Sequence, residues 1–316
     1  MDFLEKFDKQ KLQKITLTVI AALTLVALIL LLIIVISSVE GTSGPDNPDI
    51  PSINNNKNEL EFENMTVDAS QLAHGSLVLV NGTHKYDIPS DLNLVSIYEY
   101  RDANSSNIPY GIWEKYHMKL ESVALESTHK MLCDMGQSTK DDDIMIMSSF
   151  RSYEDQEAVS KIIPAGYSDH HSGMLITLRA GKGELSDVNT AWLESNAHKY
   201  GFVMRYPENK TEITGVSDYT QAYRYVGVAH ATYMKANDLC LEEYVAYLRG
   251  NATYKKPLSI TTDDGSIYYV YYEALEGTSG EIKVPIRSAN PDGSMNFDYI
   301  ISGTNDGGFV ITVKVK

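Results

Sequence analysis

The first long hydrophobic run of the chain extends from Ile15 to Ser38 and contains no charged residue. A helix needs about 20 apolar residues to cross the hydrocarbon core of a bilayer, and soluble helices rarely stay apolar on every face. A cleaved signal peptide is the alternative, but its apolar region would be shorter, with small residues behind it. Here isoleucines and a valine continue up to Ser37, so the pattern predicts an uncleaved transmembrane anchor at residues 15–38.

The residues on either side of this run predict its orientation. Four lysines precede it, whereas the stretch that follows directly, VEGTSGPDNPD, contains no lysine or arginine. The positive-inside rule therefore keeps residues 1–14 in the cytoplasm and places the rest of this single-pass protein outside the cell membrane. Residues 39–58 are rich in glycine, serine, proline, asparagine and aspartate, which is typical of a flexible linker.

Beyond the linker, short segments with strand and helix patterns alternate irregularly. The segments that predict strands are GSLVLVNG (75–82) and IMIMSSF (144–150). The segments that predict helices are 113–136, which ends at Gly136, YEDQEAVSKII (153–163), WLESNAHKYGF (192–202), stopped by Gly201, and 226–250, with one or two helices. No regular strand–helix–strand repeat is present, so we expect an α+β fold for a core domain at residues 59–254.

The pattern changes to β near Leu258. The segments SIYYVYYEAL (266–275) and GGFVITVKVK (307–316) alternate or run apolar, with Asp-Gly and Gly-Gly pairs between the strands. We interpret residues 255–316 as a small all-β module.

Composition narrows the possible partners. The 27 lysines and arginines are outnumbered by 42 aspartates and glutamates, giving a formal charge of −15 at pH 7. Nucleic acid is therefore excluded as the main partner, because phosphate binding needs a basic surface. The two cysteines, Cys133 and Cys240, are too few for a disulfide scaffold. Outside the cytoplasm they could form one disulfide, but two free thiols fit the sequence equally well.

Four strings in the middle of the chain carry a family resemblance. They are HGSLVLVNGTHKYDIP (74–89), SSFRSYEDQ (148–156), GYSDHHSGMLITL (166–178) and WLESNAHKYGFVMRYPENKTEITGVSDYTQAYRYVG (192–227). In order and spacing they resemble the VanY-like D-alanyl-D-alanine carboxypeptidases, bacterial zinc peptidases that remove the terminal D-Ala from peptidoglycan stem peptides. The resemblance covers roughly residues 72–250. It implies the α+β fold of a D,D-carboxypeptidase and a location at the bacterial cell wall. The implied partner is a stem peptide or a cell-wall enzyme.

The resemblance also implies a metal site, from which this sequence departs. The family binds zinc through the histidine and aspartate of an SxHxxGxxxD motif and a second histidine in an EPWHYRYVG-like string, whose glutamate is the general base. His170 occupies the first ligand position, but Thr177 stands at the aspartate and Ala222 at the second histidine. Tyr219 stands at the glutamate, so no catalytic residue is intact. We therefore expect no cofactor, with Zn²⁺ present only if neighbouring residues rebuild the site. The neighbours considered are His171, Asp169, Asp218, His198 and His230, the last of which is expected on a helix surface.

The residues expected to contact substrate are retained. Arg151 and Gln156 fit the family pattern SxxRSYxxQ, and Ser168 opens the zinc motif. By resemblance, Arg151 lies in the cleft, where a guanidinium can pair with a carboxylate, and Gln156 and Ser168 offer hydrogen bonds to the peptide end. A structural ion pair is the alternative role for Arg151.

Three functional hypotheses follow. The first is a membrane-anchored, zinc-less pseudoenzyme that binds stem peptides or a wall enzyme. The second is an active D,D-carboxypeptidase with a remodelled metal site. The third is a non-catalytic surface scaffold in which the β module at residues 255–316 does the binding.

Overall fold

The computed structural model of the chain describes residues 60–104, 110–114, 117–159, 163–217, 219, 221–287 and 297–315. The predicted anchor at residues 15–38 and the predicted linker at residues 39–58 lie outside these ranges. Among the helices that the structure describes, none has the length and apolar character needed to cross a membrane.

The described strands are β1 (Phe62–Asp68), β2 (Leu94–Ser96), β3 (Gly111–Ile112), β4 (Lys119–Glu121), β5 (Met145–Ser148), β6 (Leu175–Arg179), β7 (Phe202–Met204), β8 (Ala222–Tyr225), β9 (Leu258–Thr261), β10 (Ile267–Ala274), β11 (Ser279–Pro285), β12 (Phe297–Gly303) and β13 (Gly308–Val315). The α-helices are α1 (Ile97–Asn104), α2 (Ser122–Thr139), α3 (Tyr153–Val159), α4 (Asp187–Asn196), α5 (Thr211–Thr214), α6 (Val228–Ala236) and α7 (Leu241–Asn251). Short 3₁₀ turns lie at Ala69–Ala73, Asp169–Ser172, Ala197–Tyr200 and Glu208–Lys210.

A five-stranded sheet with the order β3-β5-β6-β8-β7 forms the centre of the predicted core domain. Strands β3 and β5 are parallel, and the other neighbours in this sheet are antiparallel. Residues of α2 and α4, such as Leu132 and Leu193, share a buried core with Ile176 and Tyr223 of the sheet. This mixture of helices and mainly antiparallel strands agrees with the predicted α+β class.

A second, four-stranded sheet with the order β12-β13-β10-β9 is antiparallel throughout, and β1 pairs with β11. The strands that the sequence predicted after residue 258 are therefore present. Their buried residues, such as Val270 and Ile311, share one core with Val245 and Leu248 of α7 and Met234 of α6. The β strands of residues 255–316 and the last two helices of the core domain thus bury their apolar faces against each other.

Three local predictions were wrong. Residues 77–80 are buried and outside regular strands, because side chains and a loop take their backbone hydrogen bonds. The helix predicted at residues 113–136 begins only at Ser122, after strand β4, and continues beyond Gly136 to Thr139, with Lys140 in the left-handed conformation at its C-terminus. His230, expected on a helix surface, is buried.

His230 lies between α6, α7 and β13. Its Nδ1 is 2.8 Å from the Tyr244 hydroxyl, and its Nε2 is 3.0 Å from the Thr312 hydroxyl. Burial lowers the pKa of His230 to about 3, so the ring is neutral at physiological pH. The histidine is thus a satisfied polar group of the shared core.

The shared core predicts that the C-terminal sheet and the helices unfold together. Ile311 of β13 is fully buried, so we expect Ile311→Ala to lower the free energy of unfolding by about 2–5 kcal/mol through lost burial and cavity formation. Ile300 of the neighbouring β12 is 56% exposed, so Ile300→Ala is the matched control and should change stability by less than about 0.5 kcal/mol. Urea titrations followed by helical circular dichroism would measure both. An Ile311→Ala transition in which the helical signal is unchanged would show that the sheet unfolds independently.

Candidate functional site

The motif SDHHSG folds into the 3₁₀ turn at Asp169–Ser172, between α3 and β6. All four residues of the turn are buried. Gly173 ends the turn with φ +69°, a left-handed conformation that glycine adopts without steric cost, and its N–H donates to the carbonyl of His170. Burial of this polar segment requires that its charged and hydrogen-bonding groups find partners inside the protein.

Asp169 finds its partners in two buried arginines. Arg205 Nε lies 2.6 Å from Asp169 Oδ2, and Arg224 Nη1 donates to Asp169 Oδ1. The side chains of all three residues are fully buried. Arg205 follows β7 and Arg224 lies on β8, so this ion triplet joins the 3₁₀ turn to the edge of the sheet.

Glu242 of α7 completes the charge balance of the triplet. It accepts hydrogen bonds from Arg205 at 2.7 and 3.0 Å and from the side-chain amide of Asn81 at 3.0 Å. Burial opposes ionisation of Glu242, but the attraction of Arg205 together with the hydrogen bonds from Arg205 and Asn81 lowers the pKa of this carboxyl group. Two guanidinium groups and two carboxylates therefore form a neutral buried cluster.

His170 is oriented by the backbone of the preceding loop. Its Nδ1 lies 2.6 Å from the carbonyl oxygen of Ser149. A carbonyl only accepts, so Nδ1 carries the proton and Nε2 of the neutral ring has the lone pair. Nε2 is buried and has no hydrogen-bond partner among the described residues. Burial, and secondarily the charge of Arg151, hold the pKa of His170 well below its ordinary value.

The other two expected ligand positions are paired on neighbouring antiparallel strands. Thr177 of β6 and Ala222 of β8 are directly opposed, and Thr177 is also opposite Ser148 of β5. Both Thr177 and Ala222 are buried, and the Thr177 hydroxyl has no partner among the described residues. Tyr219 packs against a small apolar cluster that contains Ala222 and Tyr206. Its ring centre lies 5.9 Å from that of Tyr206.

These residues do not fit a zinc ion. Zinc in proteins takes cysteine, histidine and carboxylate ligands, three of them in a catalytic site. Of the three expected ligand positions, one carries an imidazole and the other two carry a threonine and an alanine. Among the residues that the structure describes, no three histidine, cysteine or acidic side chains converge on a common point.

The neighbours that could rebuild the site have other roles. His171 accepts from the N–H of Gly166 and bonds the carbonyl oxygen of Arg151, and Asp169 is held in the ion triplet. His198 lies 3.5 Å from Asp263, and His230 lies in the core shared with the C-terminal sheet. Asp218, the remaining neighbour, lies outside the described residues.

Arg151 is held in place without a carboxylate partner among the described residues. Its Nε and Nη2 donate to the Ser148 hydroxyl at 3.0 and 2.7 Å, and Nη1 donates to Gln156 Oε1 at 3.1 Å. A guanidinium has five N–H groups, so two have no partner among the described residues and could bind a ligand. The Arg151 side chain is half-buried. No carboxylate among the described residues pairs with it, so these residues do not support its alternative role in a structural ion pair.

Gln156 and Ser168 have supporting positions. Gln156 is buried on α3 and also donates to the carbonyl of Ile163 at 2.9 Å, so its amide orients Arg151. Ser168 is buried directly before the 3₁₀ turn and makes no capping hydrogen bond with its side chain. The sequence reasoning missed Ser148 and Ser149, which orient Arg151 and His170. Their place in the string SSFRSYEDQ was the available signal.

The two cysteines do not pair. Cys133 on α2 and Cys240 before α7 form no disulfide with each other. Of the two alternatives that the sequence left open, the structure has the one without a disulfide.

A separate cavity of about 790 Å³ is lined by Gln221, Tyr223, Met204 and residues of α4. Gln221 and Tyr223 flank Ala222 in sequence, and side chains alternate between the faces of a strand. None of the predicted site residues lines this cavity. It is therefore distinct from the region around His170 and Arg151.

Comparisons with known proteins agree with the resemblance. The family model for VanY, D-alanyl-D-alanine carboxypeptidase, matches residues 117–228. A D-alanyl-D-alanine carboxypeptidase of Enterococcus faecium is 29% identical over 255 residues, which cover 78% of each chain. One of Enterococcus faecalis is 41% identical over 90 residues, 28% of this chain and 34% of that protein.

A solved structure extends the likeness in fold beyond the matched family domain. The vancomycin-resistance D,D-dipeptidase VanXYg, in complex with a D-Ala-D-Ala phosphinate analogue, superposes with a TM-score of 0.65 at 21% identity. The match covers 80% of this chain and 99% of that structure. Residues 117–228, which contain Arg151, His170, Thr177, Tyr219 and Ala222, are therefore similar in sequence to the VanY family of D-alanyl-D-alanine carboxypeptidases.

Proposed function

We propose that this protein is a membrane-anchored D,D-carboxypeptidase-like protein that binds the C-terminal end of peptidoglycan stem peptides without zinc-dependent hydrolysis. The observation that carries the proposal is that Thr177 and Ala222, at two of the three expected ligand positions, are paired across neighbouring strands, while Arg151 keeps hydrogen-bonding capacity unused by the described residues. The D-Ala-D-Ala specificity is proposed from the similarity to D-alanyl-D-alanine carboxypeptidases.

The loss of hydrolysis is supported by the donor set. Catalytic zinc needs three protein ligands and an open position for water, and a general base must accept the proton of that water. His170 is the one metal-ligating side chain at the three expected positions. Tyr219 brings a phenol in place of a carboxylate and packs against apolar neighbours. Hydrolysis by the family's route therefore lacks both its metal and its base.

Binding is supported by the state of Arg151. Its two unused N–H groups match the two oxygens of a carboxylate, the geometry in which guanidinium recognition is strongest. Ser148 and Gln156 hold the guanidinium from the protein side, which reduces the entropy lost when a ligand binds. The chain end of a stem peptide carries such a carboxylate.

Location at the cell membrane is supported by the sequence at residues 15–38. The uncharged run is long enough to span a bilayer, and the lysines before it favour a cytoplasmic N-terminus. The described domain would then lie on the side of the membrane that faces peptidoglycan.

An active carboxypeptidase with a remodelled metal site is the second candidate. It is favoured by the relatives, which are named as carboxypeptidases. It requires ligands other than Thr177 and Ala222 to meet His170 within about 2.0–2.2 Å of one zinc position.

We predict that the purified 316-residue chain contains no stoichiometric zinc and releases no D-Ala from a stem pentapeptide, with or without added zinc. The triple variant Thr177→Asp, Ala222→His, Tyr219→Glu should gain zinc, because it places two further ligands opposite each other beside His170. Metal analysis by mass spectrometry and an assay of free D-Ala would measure both. The matched control is the same variant with His170→Ala, which should lose the zinc again.

Stoichiometric zinc together with turnover in the unmodified chain would contradict this prediction. It would mean that residues outside the expected positions supply the ligands, and the second candidate function would stand.

We predict that Arg151→Ala weakens binding of a diacetylated L-Lys-D-Ala-D-Ala tripeptide by at least about tenfold. Hydrogen bonds to a charged group contribute about 1.5–3 kcal/mol, and 1.4 kcal/mol is a factor of ten in affinity. Isothermal titration calorimetry would measure the dissociation constants. Arg179→Ala is the matched control, since Arg179 is an exposed arginine at the end of β6, and its affinity should be unchanged. Equal affinities of the Arg151→Ala variant and the unmodified chain would show that Arg151 does not bind the ligand.

We predict that the full chain sediments with bacterial membranes and is released by detergent but not by high salt or carbonate. An apolar helix inserted in the bilayer resists extraction by salt, whereas an electrostatically bound protein does not. Four arginines in place of Val19, Leu25, Leu30 and Val35 should move the protein out of the membrane fraction. Salt-extractable protein in the unmodified chain would contradict the anchor.

A further inference from the structure

Three buried polar atoms around the 3₁₀ turn have no hydrogen-bond partner among the described residues. They are His170 Nε2, Thr177 Oγ1 and Ser149 Oγ. The residues that carry them are each less than a tenth exposed. Unpaired buried polar atoms cost about 1–3 kcal/mol each, so a group that enters this site and pairs with them gains that free energy on binding.

Backbone contacts bring these atoms close to Arg151. The N–H of Arg151 donates to the carbonyl of His170 at 3.3 Å, and the His170 ring bonds the carbonyl of Ser149. Ser148 holds the Arg151 guanidinium and lies opposite Thr177 in the sheet. One short segment, residues 148–151, therefore contacts both the imidazole and the guanidinium.

The two groups have complementary hydrogen-bonding roles. Arg151 only donates, and its two spare N–H groups select an anion. His170 donates through Nδ1 to the protein, so Nε2 presents a lone pair and selects a donor. A ligand that satisfies both must carry a carboxylate and, close to it, an N–H group. In a peptide, the last N–H and the terminal carboxylate are separated by a single Cα atom.

We infer that His170, freed from a metal, accepts a hydrogen bond at Nε2 from the last peptide N–H of the ligand while Arg151 binds its terminal carboxylate. This inference rests on the proposed function and adds that the His170 imidazole recognises the last peptide bond of the ligand. His170 is then a binding residue that distinguishes an amide from an ester, because an ester oxygen offers no hydrogen and turns a second lone pair toward Nε2.

The test compares two ligands that differ at this one atom. They are diacetylated L-Lys-D-Ala-D-Ala and the same compound ending in D-lactate, in which an ester oxygen replaces the last N–H. Calorimetric titration of the full chain should give at least about tenfold weaker binding of the ester, the factor that corresponds to one lost hydrogen bond of about 1.4 kcal/mol. His170→Phe keeps a ring but removes the acceptor, and should bind both ligands within about twofold of each other.

Arg151→Ala separates the inference from the proposed function. It should weaken both ligands by a similar factor and leave their ratio unchanged. Equal binding of amide and ester by the unmodified chain, with both weakened by Arg151→Ala, would overturn the inference and leave the proposed function standing. A preference for the amide that persists in His170→Phe would also overturn it. Failure of both ligands to bind the unmodified chain would overturn the inference and the proposed function together.

Circular dichroism would establish that His170→Phe is folded. If it is not, the unmodified chain with ¹⁵N-labelled histidine keeps the inference testable. The Nε2 resonance of His170 should shift on addition of the amide ligand and remain in place with the ester. An Nε2 resonance that is the same with both ligands would overturn the assignment.

Discussion

The buried ion triplet of Asp169 with Arg205 and Arg224 is the interaction on which the geometry of the site depends. All three side chains are inaccessible to solvent. Arg224 also donates to the carbonyls of Ser76 and Val78. The triplet therefore connects residues 76–78, the 3₁₀ turn and the sheet. Removing one partner of such a buried group leaves an uncompensated charge and typically costs 3–5 kcal/mol.

This arrangement separates the residues that build the site from those that would hold a metal. The turn carrying His170 is fixed by Asp169 on one side, and its ring is fixed by the carbonyl of Ser149. Neither contact involves a metal ion. Thr177 and Ala222 lie within regular strands whose ladder hydrogen bonds come from the backbone. The fold around the site is therefore complete without zinc, and changes at these positions leave the supporting structure in place.

Periodicity in the sequence predicted those elements that are held mainly by backbone hydrogen bonds. These are the strand within 144–150, the helix beginning at Tyr153 and the C-terminal strands. Their hydrophobic patterns and turn residues are local features of the sequence. The segment 77–80 was misread because arginine side chains distant in sequence take its carbonyls. His230 was misread for a similar reason, since its partners Tyr244 and Thr312 come from two other elements. Motif matching identified His170 and Arg151 as candidate site residues, but the roles of Ser148 and Ser149 depend on how a loop folds back onto the turn.

The electrostatics of the site favour an anionic ligand in the absence of metal. By resemblance, a zinc ion with charge +2 is balanced in the family by one aspartate ligand and one glutamate base. Thr177 and Tyr219 replace both acids with neutral groups, so removing the metal leaves no unpaired carboxylate at these positions. The Arg151 guanidinium has no carboxylate partner among the described residues, so the ligand carboxylate of the proposed function would supply the opposite charge.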